Sequence, residues 1–140
     1  MKVLIAVDGS EYSKRMLAYL AAHDELLGRG HDYTVIHSVL AVSPHAASFV
    51  DARTLQGFYD AAAEEVFRPA RAFFNQQGIQ PKFVTTIGHA ARSIASLADE
   101  GRFDLLVMGS KGQGDLANLV LGSVATKVLA QCSAPVLLIR

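Results

Sequence analysis

A group of glycine and hydroxyl residues near the end of the chain has the types and spacing expected of a phosphate-binding loop. Two residues separate Gly109 from Gly112, nine separate Gly112 from Gly122, and Ser123 follows at once. Glycine lets backbone N–H groups approach an anion closely. The loop follows a short apolar segment and precedes an apolar-periodic one. It is therefore predicted to lead from a strand to a helix N-terminus, where free N–H groups favour phosphate.

Two side chains of this loop have more than one candidate role. The hydroxyl of Ser123 could donate to a phosphate oxygen, or it could cap the following helix by accepting from the N–H of Thr126, which is worth about 1 kcal/mol. Lys111 could neutralise phosphate charge or could simply be solvated, since it occupies no fixed motif position.

The spacing excludes a Walker loop, which needs a glycine, four residues and then Gly-Lys-Ser/Thr. The segment Gly112-Gln113-Gly114 with Ala117 fits a dinucleotide-binding fingerprint only loosely, because it follows a late strand and has no acidic residue about 20 positions further on. A glycine-rich turn without a ligand is the structural alternative.

Asp8 is the candidate partner of the loop, because it follows the first apolar segment directly. A carboxylate at the end of such a strand typically accepts hydrogen bonds from a ribose diol, whereas the alternative is a turn residue that binds its own backbone. The apolar residues Ala6, Val7 and Val39 could line a base pocket or belong to the core.

Other chemistry is sparse in the sequence. The five histidines show no metal-ligand spacing, and only His89, at a strand end, lies where a proton role is conceivable. Cys132 is interpreted as a small buried hydrophobe. We identify no Ser/His/Asp or Cys/His arrangement, and we predict neither a catalytic residue nor a metal site.

Two kinds of apolar segment, one typical of strands and one typical of helices, alternate along the chain and predict the elements that position these residues. Nearly continuous apolar segments predict five strands, at 2–7, 33–39, 82–87, 104–108 and 135–139. Residues at helical spacing predict four helices: one carrying Leu17, Leu20, Ala21 and Leu27 and ending at Gly28, one over 55–74 that bends at Pro69, one around 94–98, and one over Ser123–Gln131. Segment 40–53 has no clear period and is predicted to be a long connection.

This βαβαβαβαβ order indicates an α/β fold with a parallel sheet covered on both faces. Ligands of such sheets bind beyond the carboxyl ends of the strands. Asp8 and the loop from Gly109 both follow strand ends, so they are predicted to meet at that edge.

Composition limits the possible function classes. The 140 residues fit one domain over 1–140, and no apolar run is long enough to span a bilayer. A single cysteine and an N-terminus without signal-peptide features predict a cytoplasmic protein. Thirteen basic and thirteen acidic side chains balance to zero net charge, which argues against a nucleic-acid partner.

With these motifs the chain resembles the universal stress protein family over essentially its whole length. The resemblance rests on residues 3–10, on 104–110, on the loop from Gly109 to Ser123 with the helix after it, and on the closing segment 134–139. The loop spacing is the signature of the family's ATP-binding branch. The resemblance implies a Rossmann-like doubly wound open sheet of order 3-2-1-4-5 that binds ATP, with or without Mg²⁺.

The resemblance also implies roles for single residues. Asp8 would meet the ribose, Ala6 and Val39 the adenine, and Gly109, Gly112, Gly122 and Ser123 the phosphates. Val7, Met108, Ser110, Lys111 and Val124 are expected beside them. A homodimer would form by antiparallel pairing of the last strand, Val136–Ile139, which would otherwise be an exposed apolar edge.

These features favour an ATP-binding regulator of the stress response over an enzyme. The alternatives are a slow ATPase or phosphotransferase using Lys111 and Ser123, or a dimeric interaction module with a vestigial pocket. Phosphoryl transfer needs a positioned water and concentrated positive charge, for which we can name no further residues.

Overall fold

The computed structural model describes residues 1–25, 28–115 and 117–140. Its five strands are β1 (Lys2–Ala6), β2 (Asp32–Val39), β3 (Lys82–Ile87), β4 (Leu105–Gly109) and β5 (Val136–Ile139). They form one parallel sheet in the order β3-β2-β1-β4-β5, which confirms the predicted order. The chain leaves β1 towards β2 on one side and later returns to β4 on the other.

Helices cover both faces of this sheet. They are α1 (Glu11–Ala22), α2 (Pro44–Ala47), α3 (Ala52–Gln77), α4 (Ala90–Glu100) and α5 (Ser123–Gln131). One core layer joins alternate strand residues such as Val3 and Ile5 to α1 and α3. The other joins Leu4 and Ala6 to α4 and α5. Because neighbouring strand residues point to opposite faces, the apolar strands of the sequence supply both layers.

Four helices were predicted, and the structure adds the single turn α2 within segment 40–53. Ser43 caps this turn by accepting from the N–H of Ala46 at 3.2 Å, and Pro44 is its first residue. A serine followed by proline is a recognised start signal that the sequence carried. The long helix α3 also begins earlier than predicted, because Asp51 caps it by accepting from Thr54 at 2.7 Å. It continues through Pro69.

The predicted end of α1 at Gly28 was wrong, because the helix stops at Ala22. His23 follows as the C-cap, and its ring Nδ1 lies 2.8 Å from the carbonyl oxygen of Tyr19. That carbonyl is the one a further helical turn would use, so the side chain competes with helix continuation. Leu27, predicted on the same helical stripe, lies outside the described residues.

No helix in the described part of the chain combines the length and apolar character needed to cross a membrane.

Candidate functional site

A cleft opens at the carboxyl edge of the sheet, between the ends of β1 and β4. This is the point where the chain order reverses, because β1 is followed on one side by β2 and on the other by β4. The space in and directly above the cleft, open solvent included, is about 500 Å³. It is lined by Ala6, Val7, Asp8, Ser13, His37, Ser38, Ala90, Ile94, Met108, Gly109, Lys111, Gly112, Val124 and Ala125.

Asp8 begins a tightly bonded turn between β1 and α1. Its Oδ1 accepts from the N–H of Ser10 at 2.9 Å and from the hydroxyl of Ser13 at 2.8 Å. The N–H of Asp8 donates to the same Ser13 hydroxyl at 2.9 Å. Ser10 in turn accepts from the N–H of Ser13 and caps α1. One carboxylate oxygen is therefore committed to the turn.

The other carboxylate oxygen of Asp8 faces the glycine loop. A Cβ on Gly112 would lie 2.6 Å from Asp8 Oδ2, which is closer than real side chains permit. Only glycine allows this approach without a shift of the loop or of the carboxylate. The two roles weighed for Asp8 thus occur on different oxygens: Oδ1 holds the turn, and Oδ2 is directed towards the loop.

The base of the glycine loop is closed by backbone hydrogen bonds. The N–H of Gly122 donates to the carbonyl oxygen of Ser110, and the N–H of Ser110 donates to that of Ile139, each at 2.8 Å. At its far side, Gln113 Nε2 donates to the carbonyl oxygen of Asp8 at 3.0 Å. The loop is therefore tied to β5 at one end and to the Asp8 turn at the other.

Inside the loop lies the carboxylate of Asp115. Its Oδ2 accepts from the N–H of Gly112 at 2.6 Å. It also lies 2.2 Å from the point where a Cβ on Gly122 would be, so Gly122 leaves the space that this carboxylate fills. Sequence reasoning did not single out Asp115, because the contact depends on how the loop folds back on itself.

Most of the predicted site residues line the cleft, but four do not: Val39, Ser110, Gly122 and Ser123. Val39 is 7% exposed and packs in the core layer under α1 and α3. Its neighbour Ser38 lines the cleft instead. Ser110 is 2% exposed and, like Gly122, supports the base of the loop.

Ser123 is the first residue of α5, and the N-cap is Gly122. The capping alternative for Ser123 was wrong, since the N–H of Thr126 donates to the carbonyl oxygen of Gly122 at 3.0 Å and its hydroxyl to the same oxygen at 2.8 Å. The Ser123 side chain is exposed beside the cleft.

Lys111 lines the cleft, and its Nζ donates to the carbonyl oxygen of Ala117 at 3.2 Å. His89, the histidine singled out from the sequence, is the N-cap of α4 and does not line the cleft.

The histidine that does line the cleft is His37 of β2. Its Nδ1 lies 2.9 Å from the carbonyl oxygen of Val7, so Nδ1 carries a proton that it donates to that oxygen. Burial is the main influence on its pKa and lowers it, against the raising effects of the Val7 hydrogen bond and the charge of Asp8. A neutral imidazole is thus favoured beside the cleft.

The remaining residues that sequence reasoning missed come from segments far apart in the chain. Ser13 belongs to α1, Ala90 and Ile94 to α4, and Ala125 to α5. The apolar members form a wall with Ala6 and Met108 in the core layer under α4 and α5. Helical periodicity marked Ile94 as buried, but only packing of α4 against the sheet brings it to the cleft.

Among the described residues, no group of three or more histidine, cysteine, aspartate or glutamate side chains is arranged to hold a metal ion. The acidic groups next to the loop are Asp8 and Asp115.

Comparisons with known proteins agree with this architecture. The model of the family described as "Universal stress protein family" matches residues 1–140. A universal stress protein of Thermus aquaticus is 32% identical over 139 residues, which cover 99% of this chain and 97% of the relative. A universal stress protein of Bacillus subtilis is 28% identical and covers 99% and 98% of the two chains.

Solved structures show the same fold. Universal stress protein UspA from Lactobacillus plantarum superposes with a TM-score of 0.80 at 21% identity, over 100% of this chain and 97% of that one. The universal stress protein from Archaeoglobus fulgidus in complex with dAMP gives 0.69 at 22% identity, over 100% and 98%. A family protein from Arabidopsis thaliana with AMP bound gives 0.70 at 19%, over 99% and 90%. By its sequence match and its fold, this chain belongs to the universal stress protein family.

Proposed function

We propose that this protein is a stress-response regulator that binds ATP in the cleft between β1 and β4. The observation that carries the proposal is the meeting of a carboxylate and a glycine loop at one sheet edge, where Asp8 Oδ2 lies within 2.6 Å of the Cβ position of Gly112. A carboxylate at such a strand end binds a ribose diol, and a glycine loop before a helix binds phosphate.

The cleft offers a matching environment for each part of the nucleotide. An apolar wall including Ala6, Ile94, Met108 and Val124 suits an adenine ring. Asp8 Oδ2 would accept from the ribose, and backbone N–H groups of the loop would donate to phosphate oxygens. Two relatives, from Archaeoglobus fulgidus and Arabidopsis thaliana, are described with dAMP and AMP bound, which supports an adenine nucleotide as the ligand.

Binding is better supported than turnover. Phosphoryl transfer needs a positioned water and concentrated positive charge around the transferred group. In the part of the chain that the structure describes, the cation lining the cleft is Lys111, and its Nζ is already bonded to a loop carbonyl. Mg²⁺ would enter with the triphosphate, because this ion keeps several waters and binds through one or two carboxylates plus phosphate oxygens. Asp8 and Asp115 are the carboxylates that could reach it.

Calorimetric titration of nucleotide-free protein with ATP tests the proposal. We expect saturable binding to the wild-type protein and none to Gly112→Val, since the new side chain would displace the Asp8 carboxylate. Gly30→Val is the matched control, because a Cβ there meets no atom within 4 Å. It introduces the same side chain just before β2, on the side of the sheet where the strands begin, away from the cleft at their carboxyl ends.

Saturable binding that Gly112→Val abolishes and Gly30→Val preserves would establish the cleft as the nucleotide site. Comparison of ATP, ADP and AMP would then define the preferred phosphate number. No heat and no thermal stabilisation at millimolar ATP would overturn the proposal and favour an interaction module with a vestigial pocket.

We further propose a homodimer formed through β5. This strand is the edge of the sheet, and it pairs only with β4 among the described strands. The carbonyl oxygens of Pro135 and Ile139 face β4, so the alternating pattern directs the backbone groups of Val136 and Leu138 outwards. Exposed edges of this kind associate readily, and a two-fold axis satisfies two at once.

Sedimentation velocity tests the dimer. We expect the wild-type protein to sediment as a dimer and Leu138→Pro to shift it to monomer, because proline removes an outward N–H. Leu138→Ala controls for the lost side chain and should remain dimeric. A monomeric wild-type protein at micromolar concentration would overturn this proposal without affecting that for the cleft.

A further inference from the structure

The glycine loop already holds an anion of its own. The N–H of Gly112, a donor expected to face phosphate, donates to Asp115 Oδ2 at 2.6 Å. This N–H···O distance is short, and the acceptor is charged, which shortens and strengthens such bonds. The carboxylate belongs to the loop itself, three residues after the donor, and it is half-buried there.

Glycine at position 122 makes room for this carboxylate. A Cβ on Gly122 would meet Asp115 Oδ2 at 2.2 Å and the backbone of Lys111 at 3.0 Å. The space left by the missing side chain is therefore filled by Asp115. Two of the three glycines that define the loop, Gly112 and Gly122, contact the same carboxylate group.

Among the described residues, no ion pair joins the Asp115 carboxylate to a cationic side chain. The ion pairs of the described residues join Lys14 to Glu11, Arg68 to Glu65 and Arg71 to Glu64, all outside the cleft. Lys111, two residues from the first loop glycine, directs its Nζ to the carbonyl oxygen of Ala117. Asp8 Oδ2 lies 2.6 Å and Asp115 Oδ2 3.7 Å from the same point, the Cβ position of Gly112, so the local charge is negative.

We propose that Asp115 is a specificity-determining residue that competes with phosphate for the loop, an inference that rests on the proposed function of the cleft. In the free protein its carboxylate occupies the N–H donor that a phosphate needs. A phosphate group must displace it or bind beside it, and like charges a few ångströms apart repel strongly where solvent screening is incomplete. The penalty grows with the charge of the ligand, so Asp115 lowers the affinity for ATP more than that for less charged nucleotides and leaves the nucleoside part of the site unaffected.

The variant Asp115→Asn separates charge from hydrogen bonding. Its amide oxygen can still accept from the N–H of Gly112, so the loop keeps its internal bond while the negative charge is lost. Asp115→Ala removes the acceptor as well. Asp32→Asn is the matched charge control, because Asp32 is exposed at the start of β2. It therefore lies at the end of the strands opposite to the cleft.

Affinities of these proteins for adenosine, ATP and inorganic tripolyphosphate would be measured by calorimetry in EDTA, which removes divalent cations. Adenosine reports on the base and ribose part of the cleft alone, and tripolyphosphate reports on the loop alone. We expect Asp115→Asn to bind ATP and tripolyphosphate about tenfold more tightly than the wild-type protein, with adenosine affinity unchanged. Asp32→Asn should match the wild-type protein with all three ligands.

Equal or weaker binding of tripolyphosphate and ATP to Asp115→Asn would overturn the inference, because Asp115 would then only support the loop. An equal gain in Asp32→Asn would also overturn it, because the effect would be one of net charge. Failure of adenosine and ATP to bind any of the proteins would overturn the proposed function, and tripolyphosphate alone would then decide the role of Asp115. A gain that also appears in Asp115→Ala would support the displacement of a competing carboxylate.

Discussion

The two loops that meet at the cleft are held in different ways. The turn from Asp8 to Ser13 is closed by four short-range hydrogen bonds within six residues, and its serines are buried. The loop from Gly109 to Gly122 spans more chain, is closed at its base, and exposes the apolar side chains of Leu119 and Val120. The side-chain bonds of Asp115 and Lys111 stay within the loop, and that of Gln113 reaches the carbonyl oxygen of Asp8.

This difference indicates that the turn and the loop have different roles in the proposed nucleotide site. A turn that is fully bonded before ligand arrives presents Asp8 Oδ2 in a fixed position, which lowers the cost of binding. A loop whose N–H donor is occupied by its own carboxylate must exchange partners when phosphate binds. We therefore expect loss of a polar side chain in the turn to affect stability and binding together, and loss of a polar side chain in the loop to affect mainly phosphate binding.

The largest effect should come from Ser13→Ala in the turn. Ser13 is 7% exposed, and its hydroxyl joins both the N–H and the carboxylate of Asp8. Removal should lower the free energy of unfolding by about 1–3 kcal/mol, since buried polar groups lose their partner, and should weaken adenosine binding. Ser123→Ala, at the exposed first position of α5, should change stability little. Urea unfolding measures the stability of both variants. Equal losses of unfolding free energy in Ser13→Ala and Ser123→Ala would contradict the special role of the turn.

Gly122→Ala tests how closely the loop is packed around Asp115. The added methyl group would lie 2.2 Å from Asp115 Oδ2 and 3.0 Å from backbone, so the loop must shift. We expect the free energy of unfolding to fall by about 1–2 kcal/mol, as it does at other overpacked sites.

Gly57→Ala provides the matched control for that substitution. Gly57 lies inside α3, and a Cβ there meets no atom within 4 Å. The same change should therefore stabilise the protein by about 0.5–1 kcal/mol, the usual gain of alanine over glycine in a helix. Thermal unfolding of the two variants should give shifts of opposite sign, and shifts of the same sign would show that the loop adapts freely.

The buried His37, which bonds to the Val7 carbonyl beside the Asp8 turn, predicts that the stability of the protein depends on pH. Burial lowers its pKa from the ordinary value of 6.5, so the unfolded chain binds a proton more readily than the folded one. The contribution of this group to stability is complete above the unfolded pKa and is lost as the pH falls through the folded pKa. His37→Asn, which keeps a donor for the Val7 carbonyl, should reduce the loss of melting temperature on acidification from about pH 7.5 to 5. An unchanged pH profile would exclude His37 as its source.

The smallest effect should come from Lys111→Met in the loop. Lys111 bonds to a loop carbonyl at a half-buried position, so its loss should change stability by less than about 0.5 kcal/mol. ATP affinity should fall a few-fold and become less sensitive to salt, while adenosine affinity stays the same. Calorimetry at two salt concentrations checks this, and a parallel loss of adenosine binding would contradict a role confined to phosphate.

Sequence patterns predicted the elements well where local signals agree with burial. All five strands were located to within one residue at either end, because each is rich in apolar and β-branched residues in a sheet covered on both faces. The end of α1 was misplaced because a histidine side chain, rather than a glycine, terminates the helix. The start of α3 was placed late because its N-cap, Asp51, lies in segment 40–53, which has no apolar period and was predicted to be a connection.

The sequence by itself determined that Asp8 and the glycine loop would meet at one edge, because the carboxyl ends of parallel strands lie together whatever the details of packing. Only the tertiary structure decided which residues face the cleft. Ser38 and His37 line the cleft while Val39 packs in the core layer, because the packing of α3 on the sheet decides which residues near the end of β2 stay uncovered. The placement of Asp115 within the loop was likewise decided there, since it depends on two glycines ten residues apart in sequence coming within reach of one carboxylate.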